Sequence, residues 1–200
     1  VVVSLLLIGS VQFMHVWKDI PVGHLTRDPT SVISSPPYIG FLSQVGIFFW
    51  AASAAVCLFG ISALARCQDS LETRRFLILS GVLTLLLGLD DVFLLHERGY
   101  PAIGVSEKMV FLVYAGLLLS GLVRFHALIL RTEYVLLGMA LGCFAVSLGV
   151  DLLIPQGRGL HLYEDGAKLT GVVFWFAYHF RTGLHAVEAC ASRQGAAAGH

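Results

Sequence analysis

Asp90 and Asp91 stand side by side near the end of an apolar stretch, LTLLLGLDDVFLLHERG, and His96 and Glu97 follow within it. Carboxylates and imidazoles hold divalent metal ions and move protons. A charge in hydrocarbon costs roughly 2.5–3.5 kcal/mol on insertion scales, so an ionisable residue inside an apolar span reads first as functional. On a straight helix Asp90 and Glu97 share one stripe, Asp91 lies about 100° away, and His96 points elsewhere. A second set, His161, Glu164, Asp165 and Lys168, has spacings that place all four on one helical face. Asp151 precedes that face by a short connection, and His15 offers a further nitrogen. This constellation predicts a divalent metal, of unspecified identity, held by Asp90, Glu97, Asp151, His161 and Glu164. Asp91 and Asp165 are then the candidate catalytic bases.

A structural reading competes at each position. Asp90 and Asp91 form a pair satisfied by neighbouring hydroxyls or by Lys168. Glu164 and Asp165 complement the dipole at a helix start. Lys168 pairs with Glu164 one turn away, and His96-Glu97 marks an interfacial helix end.

The elements that carry these residues follow from hydropathy. The 200 residues are 56% hydrophobic and 13% charged, with a mean hydropathy of +0.79. A soluble domain carries about 25% charged residues, so the expected class is an all-α, polytopic transmembrane bundle. Six spans are predicted, at about 1–17, 39–65, 75–97, 108–130, 133–153 and 161–187. They form one domain over 1–187, followed by a low-complexity tail, 188–200, expected to be disordered. VVVSLLLIGSVQFMHVW lacks a basic leader and a small-residue cleavage site and reads as a membrane helix. The Pro- and Ser-rich connection at 18–38 is a surface segment able to cap a site.

Six spans put both termini on one side. Asp19, Asp28, Asp90, Asp91, Glu97, Glu107, Asp151, Glu164 and Asp165 then lie at the opposite end, nine of the 13 acids. Basic residues show no such skew: Arg66, Arg74, Arg75, Arg124, Arg131, Arg181 and Arg193 lie with the termini, against Lys18, Arg27, Arg98, Lys108, Arg158 and Lys168, seven to six. That small excess predicts cytoplasmic termini, in a bacterial inner membrane with the acidic cluster on the periplasmic face. The balanced charge, 13 against 13, gives no pull toward nucleic acid. Membrane lipids and other membrane subunits are the expected partners.

Cys57, Cys67, Cys143 and Cys190 form no CxxC pair and predict neither a disulfide framework nor a zinc motif. Trp50 and Trp175 read as packing residues, and Gly88, Gly116, Gly121, Gly138, Gly142 and Gly149 as points of close helix approach. His126, His179 and His185 belong to the half away from the acids. There is no phosphate loop, nucleophile elbow or HExxH.

The blocks LDDVFLLHERGYPAIG and LYEDGAKLTGVVFWFAY resemble uncharacterised bacterial multi-span membrane proteins over the last four predicted spans. That resemblance implies a fold and no activity. The alkaline ceramidase and adiponectin receptor superfamily, seven-span zinc hydrolases, is similar in kind through its acids and histidines near one membrane face. This chain lacks the terminal HxxxH pair and a seventh span, so that activity is not carried over. The functional expectation is a metal-binding membrane protein, with an enzyme on a membrane-soluble substrate as its sharpest form. A non-catalytic accessory subunit of a membrane complex and a proton or cation pathway are the alternatives.

Overall fold

The computed structural model describes residues 2–65, 67, 71–153 and 161–198. Arg66, residues 68–70, the PQGRG connection with Arg158, and the last two residues lie outside them. Among the described residues every regular element is helical. The chain divides into two compact units, Val1–Phe41 and Leu42–His200, where a single domain over 1–187 is the sequence expectation.

The first unit holds α1 (Val2–Lys18) and two short helices, α2 (Val22–Thr26) and α3 (Pro29–Val32). The connection expected as a plain surface segment therefore contains helical turns, opened by Pro29, whose missing N–H costs nothing at a first helical position. His15 belongs to this unit, where its Nδ1 lies 2.8 Å from the Ile20 carbonyl and donates to it.

The second unit begins within α4 (Phe41–Leu64) and continues through α5 (Leu71–Phe93), α6 (Glu107–Arg124), the short α7 (His126–Ile129), α8 (Tyr134–Leu153) and α9 (His161–Ala198). α4, α5 and residues 134–151 of α8 are long and apolar enough to cross a membrane. A fourth crossing exists if α6 is counted with the turns before it, Leu95–Ile103, from which it bends by 116°. Among the described residues, three or four membrane-compatible helices thus stand where six spans were expected. The tail expected to be disordered continues α9 through Ala198. Its alanines are the strongest helix formers, and no proline stops them.

α8 and α9 run alongside one another over the longest helix contact of the unit. Gly171 makes their approach possible: a Cβ there would fall 2.7 Å from the Phe144 ring and 3.2 Å from the Ala140 carbonyl oxygen. Gly88 does the same for α5 against Trp50 of α4, with 3.1 Å to Cβ. Among the described residues, Gly116, Gly138, Gly142 and Gly149 face nothing within 4 Å, so the close-approach reading fails at those four. The core is aromatic and aliphatic, built on Trp50, Leu64, Phe76, Leu77, Val172, Trp175 and Tyr178. Thr84 is fully buried within it and accepts the Trp175 indole N–H at 2.9 Å.

A disulfide joins Cys67, just before α5, to Cys190 in α9, with Cα atoms 6.1 Å apart. The expectation of no disulfide fails because the partners are 123 residues apart. Short-range spacing cannot reveal such a pair.

Candidate functional site

α5 stops at Phe93, and the stop is local. Leu94 adopts φ 50° and ψ 44°, a left-handed conformation that costs a branched side chain free energy, and a wide π-type turn follows over Leu95–Gly99. A straight helix would leave His96 on another face. The reversal at Leu94 instead brings His96 back onto the end of α5, where its Nδ1 lies 2.5 Å from Asp90 Oδ2. The expected stripe of Asp90 and Glu97 is broken by the same turn: Asp90 is buried, whereas the Glu97 side chain is 51% exposed.

Asp90 also accepts the Tyr114 hydroxyl from α6, on Oδ1 at 3.2 Å. Asp91, also buried, is served by other helices. Its Oδ2 accepts the Trp50 indole N–H of α4 at 3.2 Å, and its Oδ1 accepts the Lys168 ammonium of α9. Four elements therefore supply one partner each to two adjacent carboxylates. A buried carboxylate must be paired or neutralised, and with His96 protonated the four-group network Asp90, Asp91, His96 and Lys168 carries no net charge. In the neutral imidazole, a hydrogen bond to Asp90 keeps the proton on Nδ1 and leaves Nε2 able to accept one. Glu97 Oε1 lies 3.7 Å from that Nε2, too far for a hydrogen bond. The Phe111 ring packs beside the imidazole, with centroids 5.2 Å apart.

The network borders a cavity of about 1000 Å³ in the second unit. Asp90, Asp91, Glu97, Asp151, His161, Glu164 and Asp165, the seven site residues expected from sequence, all line it. Its remaining wall is largely apolar, with Leu83, Leu87, Leu118, Leu141 and Phe144 among the lining residues. Glu164 is within electrostatic reach of Asp151, Asp165, His161 and Lys168. Sharing a cavity is not sharing an ion, however. Both oxygens of Asp90 and of Asp91 already have protein partners, and among the described residues no three His, Cys, Asp or Glu side chains are grouped closely enough to hold a metal.

Sequence reasoning missed two partners and left a third undecided. Trp50 reads as packing, and it does stack on Phe144 with centroids 5.8 Å apart, yet its indole nitrogen serves Asp91. Tyr114 has no distinguishing sequence signal. Lys168 was open to two partners, the Asp90-Asp91 pair or Glu164, and it is Asp91 that it holds. The available signal was charge balance: Lys168 is the single basic side chain on a helix face that otherwise carries acids and a histidine.

No curated protein and no solved structure matches the chain. A family does, over residues 1–182, which is most of the length. The chain belongs to the family described as domain of unknown function DUF8692.

Proposed function

We propose that this is an integral membrane protein whose cavity takes up a membrane-soluble amphiphile, with the polar group against the Asp90–His96 and Asp91–Lys168 pairs and the chain along the leucine wall. The observation that carries this reading is one cavity of about 1000 Å³ with buried ion pairs at one part of its lining and aliphatic side chains at another. That size is at the upper end of ordinary ligand sites. A pair that already spends its charge internally suits a neutral or zwitterionic polar group, which it can hydrogen-bond without stripping a buried ion of its partner. His96 is the proton-transfer group. Asp90 orients it and stabilises its charged form, the arrangement by which a carboxylate makes an imidazole an effective base. Six crossings would require α1 and α9 to span as well; α9, at 38 residues, has about 57 Å of length for it.

The test is mass spectrometry of the protein purified in lipid nanodiscs. A co-purifying amphiphile near one per chain is expected. It should be lost in Ala115→Trp and Ala145→Trp, which add bulk at two small lining residues, and retained at least tenfold less in His96→Ala. Equal lipid content in all four proteins would refute the reading.

The divalent ion is the second reading, favoured by the electrostatic reach of Asp151, Asp165 and His161 to Glu164. It predicts stoichiometric metal by elemental analysis that is lost in Glu164→Gln. Metal below one-tenth per chain after purification without chelator would end it.

A further inference from the structure

We infer that the Cys67–Cys190 disulfide marks the end of the second unit that faces an oxidising compartment, so that the carboxylate-lined cavity lies toward the cytoplasm. This rests on the membrane-spanning reading above. The geometry that supports it is the separation of two cross-links along the same pair of helices. At one end α5 and α9 are tied by Asp91 and Lys168. At the other they are tied by Cys67, four residues before Leu71, and Cys190. From Leu71 to Asp91, and from Lys168 to Cys190, a helix rises about 30 Å and 33 Å. Those lengths match a hydrocarbon core of about 30 Å. The covalent link and the ionic link therefore occupy opposite membrane faces.

Disulfides persist in exported compartments and are reduced in the cytosol. Closing this one removes two protons and two electrons from the two thiols, and the electrons pass to a disulfide-bearing thiol oxidant of the exported side. The chain's other cysteines lie within helices, away from both ends. Cys57 is buried within α4, Cys143 lies within α8, and both are free. The count of basic residues points the other way, seven against six. An excess of one is a weak topological signal, and two of the arginines at the disulfide end are matched locally, Arg124 with Glu72 and Arg181 with Glu133. The consequence is that a polar ligand group reaching the cavity would come from the cytoplasmic face.

Two measurements on the full chain expressed in bacterial cells decide it. Denatured membranes prepared without reductant, treated with polyethylene-glycol maleimide, should show two additions, rising to four after reduction. Reporter cysteines then read the faces: Ile103→Cys, 75% exposed in the turn beside the cavity end, and Leu130→Cys, 64% exposed at the other end. A small sulphonated maleimide that does not cross the cytoplasmic membrane should label Leu130→Cys in intact cells, and Ile103→Cys at least tenfold less until the cells are permeabilised. Four additions without reductant, or the reversed labelling pattern, overturns the orientation while leaving the membrane reading standing. Equal labelling of both reporters in intact cells overturns both.

Discussion

Two histidines of the second unit sit in opposite settings. His96 borders the cavity, and its ring is tied to a carboxylate. His179 is fully enclosed in α9, with ring centroids 4.6 Å from Trp175, 5.1 Å from Tyr178 and 6.3 Å from Phe76. Its Nδ1 donates to the Trp175 carbonyl at 2.8 Å, and its Nε2 has no partner among the described residues. The contrast shows what an apolar bundle tolerates. A neutral imidazole can be buried on one hydrogen bond, at a cost of about 1–3 kcal/mol for the nitrogen left over. A carboxylate cannot, so Asp90 and Asp91 each collect two donors from elsewhere in the chain. Substitutions can break or sharpen this difference.

The largest effect is expected at Lys168. In Lys168→Met, Asp91 keeps only the Trp50 N–H, and removing one partner of a buried pair costs about 3–5 kcal/mol. The Lys168 side chain is 39% exposed, which places the loss at the lower end. Thermal unfolding in detergent should show a clear fall in midpoint, and the double change Asp91→Leu with Lys168→Met should recover most of it. If the single variant melts like the parent, Asp91 is not a buried charge that needs its cation.

His96→Ala comes next. Asp90 retains the Tyr114 hydroxyl, so the expected loss is that of one charge-assisted hydrogen bond, about 1.5–3 kcal/mol. The same variant should lose the co-purifying amphiphile. A stability loss with full ligand retention would make His96 a structural cap on α5 and nothing more.

Which of these features could be read from the sequence depends on their range. α4, α5 and α8 were legible because continuous apolar runs of sufficient length have few other uses. Asp90 and Asp91 were legible as buried acids because they lie inside such a run. Lys168 was legible as one of two choices for that pair; their other partners were not. Leu94 carries no mark of the left-handed turn that returns His96 to Asp90; a glycine or asparagine there would have announced it. Trp50 and Tyr114 reach the acids from 41 and 24 residues away, distances over which helical periodicity carries no information. The helical end of α9 was misread because SRQGAAAGH looks like a simple tail, although alanine favours helix.

Gly171→Ala probes the aromatic half. The added methyl would meet the Phe144 ring, which is flanked by Trp50 and Trp175 at centroid distances of 5.8 and 6.2 Å and has little room to swing. Overpacking of this kind costs about 1–3 kcal/mol. Gly116→Ala, with nothing within 4 Å, should be neutral or slightly stabilising in the same assay. Equal behaviour of the two would mean that α8 and α9 part easily, and that the aromatic half is softer than its packing implies.

The smallest effect is expected where a histidine would ordinarily draw most attention. His179→Leu gives up the hydrogen bond to the Trp175 carbonyl, yet it also removes the partnerless Nε2 from the core. Replacing a poorly satisfied polar group by an apolar one of similar volume is close to neutral. The carbonyl loses a side-chain donor but remains in a helix. The midpoint should therefore shift by no more than the equivalent of about 1 kcal/mol, and amphiphile content should not change. A loss of several kcal/mol, or of the ligand, would mean that His179 Nε2 has a role the aromatic ring of neighbours does not explain. The two histidines would then differ only in which partner each holds, and the distinction between a partnered site and an inert core would fail.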